Sequence, residues 1–185
     1  MSVPADLLAH WWSQPDPDQR RWWADAWDAA AESDRLLATN LVSDLHAAFD
    51  SSREDELLEE YERLLVGPGR IPCPPYESLW REGQPRLEQG RVMAAAAAET
   101  ATLYRQLGLQ LRPAAHELPD HVAIEWEALA YALQQKAHEP ARHLLHEHLA
   151  RWMPGFCASV ADETTEPFYR VLAQLTPAWT AALAA

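Results

Sequence analysis

Between its prolines, almost every segment of this chain places apolar residues at helical spacing, and no run of alternating β-branched residues interrupts the pattern. Only six glycines are present, so helices are broken mainly by proline. The expectation is an all-α fold, a single-domain helical bundle of about eight to ten helices. At 185 residues, 48% hydrophobic and with nine tryptophans, the chain can bury a sizeable core in one domain. Within residues 1–185 the pattern divides into an N-terminal helical part (1–66), a proline-rich loop (67–86) and a C-terminal helical part (87–185).

The periodicity predicts a short helix from about Ala5 to Trp12, a turn at Gln14-Pro-Asp-Pro17, and a second helix from Asp18 carrying Trp22, Trp23 and Trp27. Ser33 caps a third helix with the stripe Leu36, Leu37, Leu41, Leu45 and Phe49, and Ser51 with Glu54 forms a capping-box signature for a fourth. The fourth aligns Leu57, Leu58, Tyr61, Leu64 and Leu65 against an acidic side of Glu54, Asp55, Glu59, Glu60 and Glu62, and ends at Gly67-Pro68 in a left-handed cap. A fifth helix spans about Leu87 to Leu107. A sixth starts with Pro119 at its first position and carries Val122, Trp126, Leu129 and Leu133. Glu139-Pro140 opens a seventh that Pro154-Gly155 should break, and Pro167 opens a tail helix that Pro177 should kink or restart.

Fifteen basic against 28 acidic residues give a net charge of -13, which repels phosphate backbones and anionic lipid and favours a cationic peptide. Nucleic acid is therefore not an expected partner. Cys73 and Cys157 are far apart and fit no zinc or disulfide spacing, consistent with reduced thiols in the cytoplasm. The first residues lack a basic leader, and no apolar run approaches the roughly 20 residues of a membrane span, so no stable membrane insertion is expected.

Two local patterns stand out as candidate binding elements. The first runs from Tyr61 to Gly69 and into Pro72-Cys-Pro-Pro-Tyr-Glu-Ser78. Prolines such as Pro74 and Pro75 fix φ and remove donors, so such a loop loses little entropy on meeting a ligand, and Tyr76 and Trp80 add flat amphipathic surface. Glu77 can meet a basic side chain or face water. The same residues also suit a stiff connector lying on the core.

The second pattern is Glu117-Leu-Pro-Asp-His121. Asp120 and His121 fall on a helix's first turn, where an acid is favoured by the dipole and imidazolium is not. They can grip a peptide or merely cap backbone. Glu125, one turn on, can hydrogen-bond His121 or receive an arginine.

Eight histidines raise the question of metal, but His143-Leu-Leu-His-Glu-His148 does not give an HExxH site, and no metal or other cofactor is expected. Asp120-His121 reverses the His-Asp order of helical phosphohydrolases. No phosphate loop, nucleophile elbow or Cys/His pair appears, so the chain does not read as an enzyme.

In order along the chain, Glu60-Tyr61, Leu64-Leu65, Gly67-Pro68-Gly69, Pro72, Pro74-Pro75-Tyr76-Glu77-Ser78, Tyr104, Leu107-Gly108-Leu109, Pro119-Asp120-His121, Glu125 and the His148-Leu149/Trp152 patch resemble the TorD/DmsD/NarJ family of redox-enzyme maturation chaperones. The resemblance extends from about Ser51 to the C-terminus, whereas the stretch before it matches only in helical character. It implies an all-helical, system-specific cytoplasmic chaperone that binds the twin-arginine signal peptide of a molybdoenzyme catalytic subunit until cofactor insertion and assembly are complete. The implied partners are that leader and the folded part of the molybdopterin-containing oxidoreductase subunit. Tyr61, Pro74, Pro75, Tyr76, Glu77, Trp80, Asp120, His121 and Glu125 would line the leader site. This chain has Tyr76 where some relatives carry Trp. Some relatives form dimers, including domain-swapped ones, which leaves monomer and homodimer both open. The competing classes are a helical metal-dependent hydrolase and a general protein-binding adaptor.

Overall fold

The computed structural model describes residues 3–15, 26–27, 30–32, 40–81, 95–111 and 117–185. Among them the protein has nine α-helices: α1 (Val3–Trp11), α2 (Leu41–Ser51), α3 (Glu54–Tyr61), α4 (Glu77–Trp80), α5 (Ala95–Gln106), α6 (Val122–Gln134), α7 (His138–His143), α8 (Ala150–Glu163) and α9 (Pro167–Ala184). Two π-helical turns, Glu62–Val66 and Leu144–Leu149, extend α3 and join α7 to α8. The all-α expectation is met. Asp18, Trp22, Trp23, Ser33, Leu36 and Leu37, together with the predicted start of the fifth helix at Leu87, lie outside the described residues.

Helix α9 packs on α8 and α2, and α1 packs on α6. The core is aromatic: Trp11, Trp12, Trp80, Trp126, Trp152 and Trp179 are all buried, as are Phe156, Phe168 and Tyr169. Trp12 Nε1 donates to Thr176 Oγ1 at 3.0 Å, which satisfies a buried indole and fixes α1 against α9. Trp27 stacks on Trp11, so the tryptophans of the first helices that are described serve packing.

Several predicted boundaries move. Asn40 is not helical and α2 starts at Leu41, so no single helix runs from Ser33 to Phe49. Ser51 ends α2 instead of capping the next helix. The cap lies two residues on, where the Glu56 carboxylate accepts the Arg53 backbone N–H at 3.2 Å. Glu60, assigned to the solvated acidic side, is buried because it ties α3 to the α8–α9 connection. It receives Arg63, the Thr164 hydroxyl and the Thr165 backbone N–H. Burial alone would raise its carboxyl, but those three donors outweigh it and bring it down to about 2.

Gly67 has φ +99 and ψ 176, a positive-φ extended conformation and not the left-handed helical cap, and its N–H closes the π turn onto the Glu62 carbonyl at 2.7 Å. Pro154-Gly155 do not end a helix either. Helix α8 continues through Pro154 because its neighbours Trp152, Met153, Phe156, Cys157 and Val160 are all buried, and that packing outweighs one missing backbone bond. Helix α9 likewise continues past Pro177. Among the described residues no helix is long and apolar enough to cross a membrane.

Candidate functional site

The proline loop and the Asp120-His121 turn, more than forty positions apart in the chain, form one backbone unit. Tyr76 and His121 make an isolated antiparallel bridge. On either side of it, Glu77 N–H donates to the Asp120 carbonyl and Val122 N–H donates to the Pro75 carbonyl, both at 2.9 Å. The missing N–H of each proline costs nothing here, because the loop offers carbonyls to this junction. Pro74 supplies another, which accepts Trp80 Nε1 at 2.6 Å.

Pro119 and Asp120 lie in a turn ahead of α6 and not on its first turn, and Asp120 does not cap that helix. Its carboxylate accepts the Ser78 backbone N–H at 3.1 Å, so it caps the first turn of α4, while the side chain of His121 caps α6 by accepting Ala123 N–H on Nδ1 at 3.2 Å. A neutral imidazole whose Nδ1 accepts carries its proton on Nε2. Burial disfavours the charged ring and holds the His121 pKa below its ordinary value. The Tyr76 ring meets His121 edge-on at 5.4 Å, and its hydroxyl donates to Glu117 at 2.9 Å. Tyr104 O–H donates to the Pro119 carbonyl at 2.7 Å and so holds the turn from behind.

Behind this surface lies a buried polar network. Glu77 Oε2 is 2.7 Å from His148 Nδ1, and Glu77 Oε1 is 3.4 Å from Arg81, which in turn pairs with Glu99 at 2.7 Å. Glu125 accepts Trp152 Nε1 at 3.0 Å. Burial, and then the nearby charge of Glu77, hold the Glu125 carboxyl well above the usual carboxylate range. The protonated form is the one that can face another buried carboxylate.

Ligand atoms of Glu77, Glu125 and His148 lie within 4.8 Å of one another, so this trio has the oxygen and nitrogen donors a divalent cation accepts. His148 and Arg81 already engage Glu77, however, and Trp152 engages Glu125. The arrangement present is two hydrogen-bonded pairs, Glu77–His148 and Glu125–Trp152, with Glu77 Oε1, Glu125 Oε1 and His148 Nε2 buried without a hydrogen-bond partner.

All nine residues expected to hold a ligand thus gather in one region, but they are not equally accessible. Glu77, Asp120 and Glu125 are fully buried, so these three carboxylates face internal partners and not an incoming arginine. Glu125 turns toward Trp152 and away from the expected hydrogen bond with His121. Trp80 is buried as well, and Val66 is the one large exposed hydrophobic residue among those described. Tyr76 and the edges of Tyr61 and His121 remain at the surface, the last two lining a hollow of about 550 Å³ against α1.

Sequence reasoning missed Arg81 and Glu99, because nothing in their spacing marks them as partners of a glutamate inside the core. The thiol of Cys73 is buried and pushed up to about 11, which fits its lack of any activating base.

The family described as nitrate reductase delta subunit matches residues 27–158. The Tat proofreading chaperone DmsD of Salmonella typhi is 27% identical over 83% of this chain and 69% of its own length. The chaperone protein TorD of Shewanella piezotolerans is 26% identical over 83% of this chain and 73% of its own. A crystal structure of a putative redox enzyme maturation protein from Archaeoglobus fulgidus superposes with a TM-score of 0.64 at 24% identity, covering 97% of this chain and 93% of that one, and so shares the fold.

Proposed function

This chain belongs to the nitrate reductase delta subunit family, the NarJ/TorD chaperones, and we propose that it holds the twin-arginine leader of a molybdoenzyme subunit at the Tyr76–His121 junction until that subunit is assembled. It is a system-specific chaperone and not an enzyme. Binding and release, with no covalent chemistry, is all the site needs to perform.

What carries the leader reading is the junction itself. Two segments distant in sequence are locked by backbone bonds on both sides of one bridge, so the Tyr76 ring, the Glu117 carboxylate and the His121 edge are presented on a fixed frame. A preorganised surface of this kind binds a flexible peptide without ordering itself first. The net charge of -13 attracts the basic end of a leader and speeds encounter. Glu77, Asp120, Glu125 and Trp80 act from inside, by holding the frame, while Pro74 and Pro75 supply its carbonyls.

The test is co-purification from cells that make a molybdoenzyme subunit with or without its leader. Recovery of the full-length subunit and loss of the leaderless one supports the reading. Equal recovery of both would instead place the contact on the folded part of the subunit.

A further inference from the structure

A hollow between α1 and α6 borders the junction, and the leader reading so far uses only its Glu117 and His121 edge. The hollow of about 550 Å³ is lined by Asp6, Glu117 and Glu127, with His10, Tyr61 and His121 around them. None of its described lining residues is Lys or Arg. A second hollow of about 270 Å³ shares Asp6, Ile124 and Glu127 with it and continues past Leu109, Leu111 and Tyr131. The two form one track, acidic at the His121 end and more apolar at the Leu111 end.

We propose that the acidic end, Asp6 with Glu117 and Glu127, is the subsite for the paired arginines of the leader, and that the adjoining stretch by Leu109, Leu111 and Tyr131 takes the apolar segment that follows them. The proposal rests on the leader reading and fixes the direction in which the peptide lies.

Two independent features support it. Guanidinium groups bind best to carboxylates in pairs, and three carboxylates from separate parts of the fold converge on one hollow. The Asp6 carboxylate is held in place by Gln134, whose Nε2 lies 3.0 and 3.3 Å from its two oxygens. Burial raises the Asp6 pKa, a cost that an incoming cation offsets.

The second feature is His121. Its side chain is only 5% exposed, its Nδ1 is occupied by Ala123 N–H, and its Nε2–H has no partner among the described residues while the ring lines this hollow. A donor left open on a ring that borders the hollow fits a carbonyl of a bound peptide. Carboxylates for side chains beside a donor for the main chain describe an extended cationic peptide.

The experiment is calorimetric titration of the full chain with one leader peptide in three forms, carrying Arg-Arg, Lys-Lys or Gln-Gln at the pair. The proteins are the wild type, the Asp6→Asn/Glu127→Gln variant, Glu127→Gln alone, and a control with Glu54→Gln and Glu59→Gln on the exposed side of α3. The wild type should bind Arg-Arg at least about tenfold tighter than Gln-Gln, with Lys-Lys between. Asp6→Asn/Glu127→Gln should erase most of that difference, Glu127→Gln part of it, and the control less than about twofold.

If the wild type binds Arg-Arg and Gln-Gln equally, the leader reading stands and the subsite falls. The subsite also falls if the control loses as much discrimination as the double variant, since charge at large would then be responsible. If the wild type binds no leader at all, the leader reading itself fails and takes the subsite with it. Should Asp6→Asn disturb folding, Glu127→Gln on its exposed site decides the matter.

Discussion

Glu77 Oε2 lies 2.7 Å from His148 Nδ1, and neither side chain reaches solvent. That contact links the short helix after the proline loop to the π turn between α7 and α8, so the Tyr76–His121 junction is braced from the core. Removing the histidine leaves a buried carboxylate with Arg81 alone. His148→Ala should therefore lower stability by about 3–5 kcal/mol, read from urea unfolding, and Glu77→Ala by a similar amount. Replacing Glu77 and His148 together with apolar residues of matched volume should cost less than either single change, because no buried charge is then stranded.

Glu125 gives a pH prediction. Its folded-state pKa is raised, first by burial and then by Glu77, so the native state holds a proton that the unfolded chain gives up near the ordinary carboxylate value. The contribution of this group to stability is complete below that ordinary value and is lost as pH rises toward the raised one. Glu125→Gln, a neutral mimic that can still accept Trp152 Nε1, should flatten this slope. Thermal melts from pH 4 to 9 should show the variant gaining on the wild type as pH increases; a constant offset would contradict it.

Glu60 should show the opposite sign. Its carboxyl is lowered from 4.5 to about 2 by Arg63, Thr164 and Thr165, which outweigh burial. Its stabilisation is present above the ordinary value and is lost as pH falls from about 4.5 toward 2. At neutral pH, Glu60→Gln should cost about 1–3 kcal/mol, and the gap from wild type should close on acidification.

At the junction, Asp120→Ala leaves the Ser78 N–H of α4 without its cap and should cost about 1–2 kcal/mol. Together with His121→Ala it should weaken leader binding at least about tenfold while the helical circular dichroism signal stays nearly intact. Unfolding of the double variant would show that the pair serves only as caps.

The helical fold was legible because period and proline placement are local signals: α3, α6 and α9 each carry one apolar stripe that the sequence displays directly. The errors came where packing overrode local preference. Pro154 was read as a break and Pro177 as a kink or restart, yet Trp152, Phe156, Leu175 and Trp179 are buried in helices that continue through both. The structure brings the two segments Pro74 to Glu77 and Asp120 to Glu125 together, but the inward direction of Glu77, Asp120 and Glu125 could not be read, since a carboxylate's partner across 71 residues leaves no periodic trace. Asp6 and Glu127 were missed for a related reason. They sit on helices that meet only in the fold, and each looks like an ordinary surface acid.

The most direct test of leader recognition is titration calorimetry of the purified protein with the twin-arginine leader peptides of the molybdoenzymes encoded in the same genome, each beside its Tyr76→Ala control measured on the protein side. Saturable binding of one leader by the wild type, weakened at least about tenfold by Tyr76→Ala, is the predicted result. Absence of binding to every leader, or binding that ignores Tyr76, would contradict it.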